Sequence, residues 1–409
     1  MTDLPPSSPS FCAPDSLPEK VDVVVVGGGP AGATAARALA QAGHAVVLLD
    51  REGRIKPCGG AIPPRAIQDF EIPDALLCAR ITSARMIAPS GHAVDMPVGD
   101  GFVGMVDRSI FDPWLRERAA QAGALRVSGT FRTLERDPDG TAVVVFRVGA
   151  GDTGETSDHR LRTRAVIGAD GALSQVARQA LPGESVPTVA AYHEIVRTPP
   201  GFDNTRCDVY YQGRISPDFY GWVFPHGDTI SIGVGTEQKG FSLRGATTLL
   251  REAAGLTQAE TLRCEGAPIP LRPLRRWDNG RDVLLAGDAA GVVAPSSGEG
   301  IYYALEGGRL AARAVERFLA DGNPVHLGEA RRTFMKDHGM IFRILEIMQR
   351  FWYCSDERRE RFVAICADPD VQRLTWESYM YKRLVHRDPV AHIKIFFKNV
   401  AHLLGLARV

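Results

Sequence analysis

The stretch Val21 to Asp50, VDVVVVGGGPAGATAARALAQAGHAVVLLD, restricts the fold more than any other part of this chain. It opens with Val21 and a run of valines from Val23 to Val26, interrupted only by Asp22. Such a run is apolar on both faces and reads as a buried parallel strand. Gly27, Gly29 and Gly32 then supply G-x-G-x-x-G, and the alanine-rich sequence after Pro30 and Ala31 predicts a helix to about Ala42. A second strand over residues 45–49 ends in Asp50, with Arg51 behind it. The first glycine permits a sharp turn, the second lets backbone approach a pyrophosphate, and the third lets helix pack on strand. Free N–H groups at the helix start face phosphates. Asp50 stands where a carboxylate binds an adenosine ribose hydroxyl, and this whole context makes the motif specific for a dinucleotide.

At 409 residues the chain suits two or three intertwined domains. Its formal net charge is zero, so nothing points to nucleic acid. The seven cysteines form no C-x-x-C pair and are odd in number, which argues against a disulfide framework and against a zinc or iron–sulfur site; no metal is expected. Residues 1–20 are rich in Pro and Ser and read as a disordered tail, not a signal peptide. No apolar run is long enough to span a bilayer, so the expectation is a cytoplasmic protein, or one bound to a membrane from that side.

After Asp50, the stretch REGRIKPCGGAIPPRAI over residues 51–67 reads as a loop rather than a strand, and its paired glycines in Pro57-Cys58-Gly59-Gly60 admit a flat ligand. Cys58 is either a residue facing that ligand or a small apolar filler. Arg108, at the start of a helix, either reaches a phosphate or ring edge or makes a surface ion pair. Residues 127–162 alternate around turn signals and predict inserted hairpin strands. The chain returns to the parallel sheet at Gly168-Ala169-Asp170-Gly171 and again at Ala286-Gly287-Asp288-Ala289. Between them, Tyr220, Trp222 and Phe224 fall on one face of a strand, as sheet core or as the wall of a ligand cavity. A helix is expected near Glu299-Gly300-Ile301, its positive end aimed at a bound anionic group. Two other stretches, Gly99 to Gly104 and Gly149 to Gly154, share the G-x-G-x-x-G spacing, but neither follows a buried apolar strand and opens a helix, so a nicotinamide donor would have no dinucleotide domain of its own. The last eighty or so residues are helical in period, with Lys and Arg outnumbering Asp and Glu after Arg331. Residues 390–406 are amphipathic, suiting a membrane interface or docking on the domain itself.

Taken together, GGGPAG, LLD, Gly168-Ala169-Asp170-Gly171 and Ala286-Gly287-Asp288-Ala289 resemble the FAD motifs of the aromatic-hydroxylase-like flavoproteins. Within that group, Lys56-Pro57-Cys58-Gly59-Gly60, Tyr220-x-Trp222-x-Phe224-Pro225 and Pro295-Ser296-Ser297-Gly298-Glu299-Gly300-Ile301 are similar to the geranylgeranyl reductases. The C-terminal stretch resembles the branch acting on chlorophyll or bacteriochlorophyll. Reductases of archaeal lipids tend to carry Lys after the aromatic motif, where this chain has His226.

The resemblance implies an α/β fold: a Rossmann-like FAD-binding domain with a parallel sheet, an interleaved antiparallel-sheet substrate domain and a helical C-terminal region. The expected division is 21–184 and 273–325 for FAD, 185–272 for substrate, and 326–409 for the helices. FAD is expected at Gly27, Gly29, Pro30, Ala31, Gly32, Asp50, Arg51, Cys58, Gly59, Gly60, Ala61, Arg108, Asp170, Gly171, Gly287, Asp288, Gly298, Gly300 and Ile301. NADPH is the implied donor. The implied reaction reduces three isolated double bonds of a geranylgeranyl chain, as pigment ester or free diphosphate, with catalytic roles for Cys58, Tyr220, Trp222 and Phe224. Peripheral contact with the photosynthetic membrane through the C-terminal helices is part of the same expectation. The alternatives are an FAD monooxygenase of the same fold, an archaeal-type lipid prenyl reductase, and a non-catalytic FAD-containing pigment-binding or assembly protein.

Overall fold

The computed structural model describes residues 11–51, 53, 55–149 and 156–382. Its organising strand is Lys20–Val26, buried through its valines. It pairs in parallel with Val46–Asp50 on one side and with the end of Thr156–Gly168 on the other. Leu125–Ser128 and Val283–Leu285 add parallel partners at the two flanks. The first half of Thr156–Gly168 instead pairs antiparallel with Ala142–Gly149, which pairs with Thr130–Arg136. One long strand therefore serves both the parallel core and the inserted hairpin.

Helices Pro30–Gln41 and Ile301–Asp321 cross in close contact. A Cβ on Gly308 would run into the Ala31 carbonyl, and would lie 3.0 Å from Ala31 Cα. Backbone approach at this point locks the start of the glycine-turn helix against the second strand–helix unit.

The second sheet differs from the expected domain division. Its seven strands run in the order Thr261–Pro270, Thr188–Arg197, Thr229–Thr236, Gly221–His226, Arg206–Tyr210, Ser83–Ile87 and Ala93–Pro97. The last two come from within residues 21–184, the segment expected to belong to the FAD-binding part. They join because Arg206–Tyr210 pairs in parallel with Ser83–Ile87, a long-range pairing that no local turn signal announces.

Two other expectations need correction. Residues 11–20 do not form a free tail: the Cys12 N–H donates to the Arg126 carbonyl at 2.7 Å, and the Arg126 guanidinium lies over the Phe11 ring. The stretch after Gly60 is not all loop, since it holds the short strand Ala61–Ile62 and the helix Pro64–Asp69. Proline at the first helical turn loses no intrahelical hydrogen bond, so Pro64 starts this helix instead of preventing it.

Helices Glu329–Trp352, Asp356–Ile365 and Pro369–Tyr381 form the C-terminal region. Their apolar residues Trp352, Tyr353, Val363 and Cys366 share one cluster with Tyr211, Tyr220 and Trp222 of the second sheet. Arg359, fully enclosed, donates to the carbonyls of Pro217 and Tyr353 and so ties the helices to the approach of the aromatic strand. The amphipathic segment 390–406 lies outside the described residues. Among the described residues no helix is long and apolar enough to cross a membrane.

Candidate functional site

The glycine turn is enclosed by backbone on three sides. Gly27 has φ 103°, a left-handed conformation that glycine adopts without strain, and its N–H bonds the Leu49 carbonyl at 2.8 Å. A side chain there would strike the Ala169 backbone, which brings Asp170 and Gly171 beside the turn. A side chain at Gly32 would strike the Gly27 carbonyl. Gly29 caps the helix Pro30–Gln41, and only Arg108 Nη2, at 3.9 Å, would come near a Cβ placed on it. A cradle thus remains in front of a helix N-terminus whose flanks are filled.

The acids at the strand ends are already engaged. Asp50 Oδ2 lies 3.0 Å from Arg116 Nη1. Burial pushes the Asp50 carboxyl above its ordinary range, against the pull of Arg116. Asp288 pairs with Lys56 from the loop before Cys58. Asp170 accepts from Ser174 Oγ at 2.5 Å and from the Gln175 N–H at 2.7 Å, so it is bound to the first turn of the helix Gln175–Ala180, whose cap is Ser174. Burial raises its pKa too. Arg108 is not at the surface: it is buried and forms a two-point pair with Asp112 at 2.6 and 2.7 Å. Burial works against the Arg108 charge, but Asp112 and the neighbouring Cys58 more than offset it and hold its pKa above the ordinary value. Arg51 is exposed.

The loop Cys58-Gly59-Gly60 is pressed onto the aromatic strand. A Cβ on Gly59 would sit 3.1 Å from the Phe224 ring. Gly60 has φ 74°, and a Cβ there would lie 2.5 Å from His226 Nε2 and from the Val106 carbonyl. The Gly60 N–H donates to Cys58 Sγ at 3.4 Å. Burial lowers the His226 pKa, keeping that ring neutral. Tyr220, just before the strand Gly221–His226, and Trp222 and Phe224 within it form a row with ring centroids 6.1 and 6.4 Å apart, the first pair edge-on and the second tilted. Tyr220 and Trp222 are buried beneath the C-terminal helices, so the packing is that of sheet core facing a helical cover.

The loop Pro295–Gly300 is held from two sides. Tyr220 Oη donates to the Ser297 carbonyl at 2.5 Å, and Tyr353 Oη donates to the Ser296 carbonyl at 3.1 Å. Glu299 pairs with Lys382 at 2.6 Å, both nearly inaccessible, while its other oxygen accepts the Tyr302 N–H at 3.1 Å. Gly300 then caps the helix Ile301–Asp321, and a Cβ on it would lie 3.8 Å from Asp288 Oδ1. Gly287, Asp288, Gly298, Gly300 and Ile301 therefore converge with the glycine turn, the Cys58 loop and Arg108. Lys56, Arg116, Tyr353 and Lys382 were not among the expected site residues. Lys56 had a signal in its place beside Cys58; the other three belong to no motif.

Residues 21–95 match the family described as pyridine nucleotide-disulphide oxidoreductase, and residues 93–320 match the FAD binding domain family. Across 95% of this chain and 98% of the relative, it is 61% identical to a geranylgeranyl diphosphate reductase of Rhodobacter capsulatus. The chain belongs to the geranylgeranyl reductase family. A chloroplastic geranylgeranyl diphosphate reductase of Oryza sativa is 36% identical over 94% of this chain and 86% of its own length. A geranylgeranyl bacteriochlorophyll reductase-like structure from Thermoplasma acidophilum superposes with TM-score 0.78, covering 95% of this chain and 99% of its own at 22% identity. That last likeness speaks for the fold alone.

The family's cofactor is FAD, and the cradle fits it. The turn at Gly27 and the helix start at Pro30 and Ala31 would hold the pyrophosphate, Asp50 the ribose, and Asp288 with the Gly298–Ile301 segment the inner half. Arg116 and Lys56 now satisfy the two acids and would share them with the cofactor's hydroxyls.

Proposed function

We propose that this protein saturates the isolated double bonds of a geranylgeranyl chain, carried on bacteriochlorophyll or chlorophyll or as the free diphosphate, with NADPH as donor. One observation carries the reading: within a chain of this family, an alternating aromatic row is laid directly against the Cys58-Gly59-Gly60 loop beside the FAD cradle. Bound FAD would supply the hydride. The alkene has no carbonyl to polarise it, so a proton must reach one alkene carbon ahead of the hydride, and positive charge develops on the other carbon until the hydride neutralises it. The π-faces of Tyr220, Trp222 and Phe224 suit that charge, and a dry apolar surround strengthens the effect.

The chain's own residues set the geometry. Gly59 and Gly60 let the loop approach Phe224 and His226 within van der Waals distance. Tyr220 holds the Ser297 carbonyl and so fixes the loop that leads into the helix Ile301–Asp321. The candidate proton donors are Cys58 Sγ, Tyr220 Oη and water. The helical cover over Tyr220 and Trp222 must yield for a prenyl chain to enter, which makes residues 352–376 part of the substrate route.

The test is a single anaerobic turnover. Flavin reduced by light in the purified protein should be reoxidised on adding geranylgeranyl diphosphate or the geranylgeranyl pigment. Reoxidation only on admitting oxygen, with either acceptor present, would count against a prenyl reductase.

A further inference from the structure

Trp222 is attached to a line of buried polar groups that the reductase reading leaves unused. Cross-strand registers place Glu265 opposite His193, His193 opposite Gly233, and Gly233 opposite Trp222. The same row continues through Val209, Met86 and Val94. It is thus apolar on one side of Trp222 and polar on the other. Gly233 makes the polar part possible. A Cβ on it would sit 2.5 Å from both His193 Cβ and Trp222 Cζ2, so only the missing side chain lets the two rings approach, at 6.4 Å between centroids. Ser231 lies two residues along the same strand and on the same face.

The polar atoms join into one chain. Trp222 Nε1 donates to Ser231 Oγ at 3.2 Å. Ser231 Oγ and His193 Nδ1 are 2.9 Å apart, and His193 Nε2 and Glu265 Oε2 are 3.1 Å apart. Arg263 Nε pairs with the other oxygen of Glu265 at 2.5 Å. An indole N–H only donates and an ion-paired carboxylate only accepts, so one direction satisfies the chain from Trp222 to Glu265. Trp222 donates to Ser231, Ser231 to His193, and His193 to Glu265.

Serine, histidine and glutamate in this order also occur in hydrolases. Here Ser231 has no accessible surface and its oxygen already receives the indole N–H. A nucleophilic serine needs an open approach to a carbonyl carbon, so that chemistry is excluded by the packing. A core that only had to be filled would do as well with apolar residues at these positions.

We infer that Glu265, His193 and Ser231 are positioning residues for Trp222, holding its indole plane and raising the electron density of the face that meets the prenyl chain. The inference rests on the reading of the aromatic strand as the substrate wall. Hydrogen bonds that all point one way reinforce each other, and this chain ends on a carboxylate. Pulling the indole N–H toward that negative end enriches the ring, whose π-face then better stabilises positive charge developing on a substrate carbon. No proton leaves the chain and no covalent bond forms in it.

The test uses the FAD-loaded protein with Ser231→Ala, His193→Gln, His193→Asn and Glu265→Gln, beside Trp222→Phe. Three quantities are read: the rate of flavin reduction by NADPH, the anaerobic rate of flavin reoxidation by geranylgeranyl diphosphate, and the indole N–H signal of Trp222 in the nitrogen-15 spectrum. Ser231→Ala should move that signal and slow reoxidation about tenfold, with flavin reduction unchanged. His193→Gln, whose amide matches Nε2 only, should do the same. His193→Asn, whose amide matches Nδ1, should recover part of the rate. Glu265→Gln, at the partly exposed end, should shift both signal and rate more weakly and keeps the test open if a buried variant does not fold. If Trp222→Phe slows reoxidation while Ser231→Ala and Glu265→Gln do not, the relay is refuted and the aromatic wall stands. If Trp222→Phe has no effect, the wall itself fails, and the relay with it.

Discussion

The phenol of Tyr220 donates a 2.5 Å hydrogen bond to the carbonyl of Ser297, joining the aromatic strand of one sheet to the loop that starts the helix Ile301–Asp321 of the other unit. The aromatic row and the loop Pro295–Gly300 are therefore mechanically joined. Tyr220→Phe removes the bond but keeps the ring. The expected result is full flavin content with kcat/KM lowered about tenfold, near 1.4 kcal/mol. Flavin absorbance per protein and steady-state turnover check it together.

Gly59 and Gly60 should respond differently to alanine. At Gly59 the added carbon meets the edge of Phe224 at 3.1 Å, and a small ring shift relieves it. At Gly60 it meets His226 and the Val106 carbonyl at 2.5 Å in a left-handed backbone. Gly60→Ala is expected to cost roughly 1–3 kcal/mol of stability and most turnover, with Gly59→Ala much milder. Thermal melts and turnover of the two variants give the comparison.

Gly308→Ala probes the link between packing and cofactor. The new methyl would press on the backbone of Ala31, at the start of the helix that would hold a bound pyrophosphate. Flavin should be lost on dialysis and the melting temperature should fall, by roughly 1–3 kcal/mol of stability. Retained flavin with an unchanged melt would show that the two helices do not control the cradle.

Much of this arrangement was legible before the structure. The glycine turn is local: strand, turn, helix and acid lie within residues 21–50, and each step restricts the next. The face shared by Tyr220, Trp222 and Phe224 follows from the two-residue period of a strand. What could not be read is what depends on distant pairing. Nothing near Ser83 announces that it will lie beside Arg206 in the second sheet. Lys382 carries no motif that marks it as the partner of Glu299. His193 and Glu265 enter the Trp222 row only because four strands bring them into register. Asp170 was legible as an acid at a strand end, but its engagement by Ser174 and the helix after it was not.

The buried pair of Glu299 and Lys382 fastens the end of the helix Pro369–Tyr381 to the loop Pro295–Gly300. Lys382→Met leaves the glutamate enclosed without a cation, which is expected to cost about 3–5 kcal/mol. The double variant Glu299→Gln with Lys382→Met should recover most of that loss. Denaturant titrations of the two variants and the parent measure it.

His338 supplies a pH dependence. Its ring is packed among Tyr302, Tyr303 and Phe334, and its Nδ1 has no hydrogen-bond partner. Burial pushes its pKa down from 6.5 to about 4, with Asp337 opposing and Lys382, Arg65 and Arg309 adding to the fall. The unfolded chain binds this proton first as pH drops, so stability is full above about 6.5 and is lost progressively toward 4. The loss reaches roughly 3 kcal/mol. His338→Phe should flatten the stability curve over this window in denaturant titrations at stepped pH.

Product mass decides whether this protein reduces a prenyl chain. The FAD-loaded protein, NADPH and geranylgeranylated bacteriochlorophyll are incubated without oxygen, in parallel with geranylgeranyl diphosphate, and the prenyl products are resolved by mass spectrometry. The result expected of a prenyl reductase is successive gains of one, two and three pairs of hydrogens on at least one of these substrates, at the expense of NADPH. Flavin that cycles with NADPH while both prenyl chains keep their mass would contradict it.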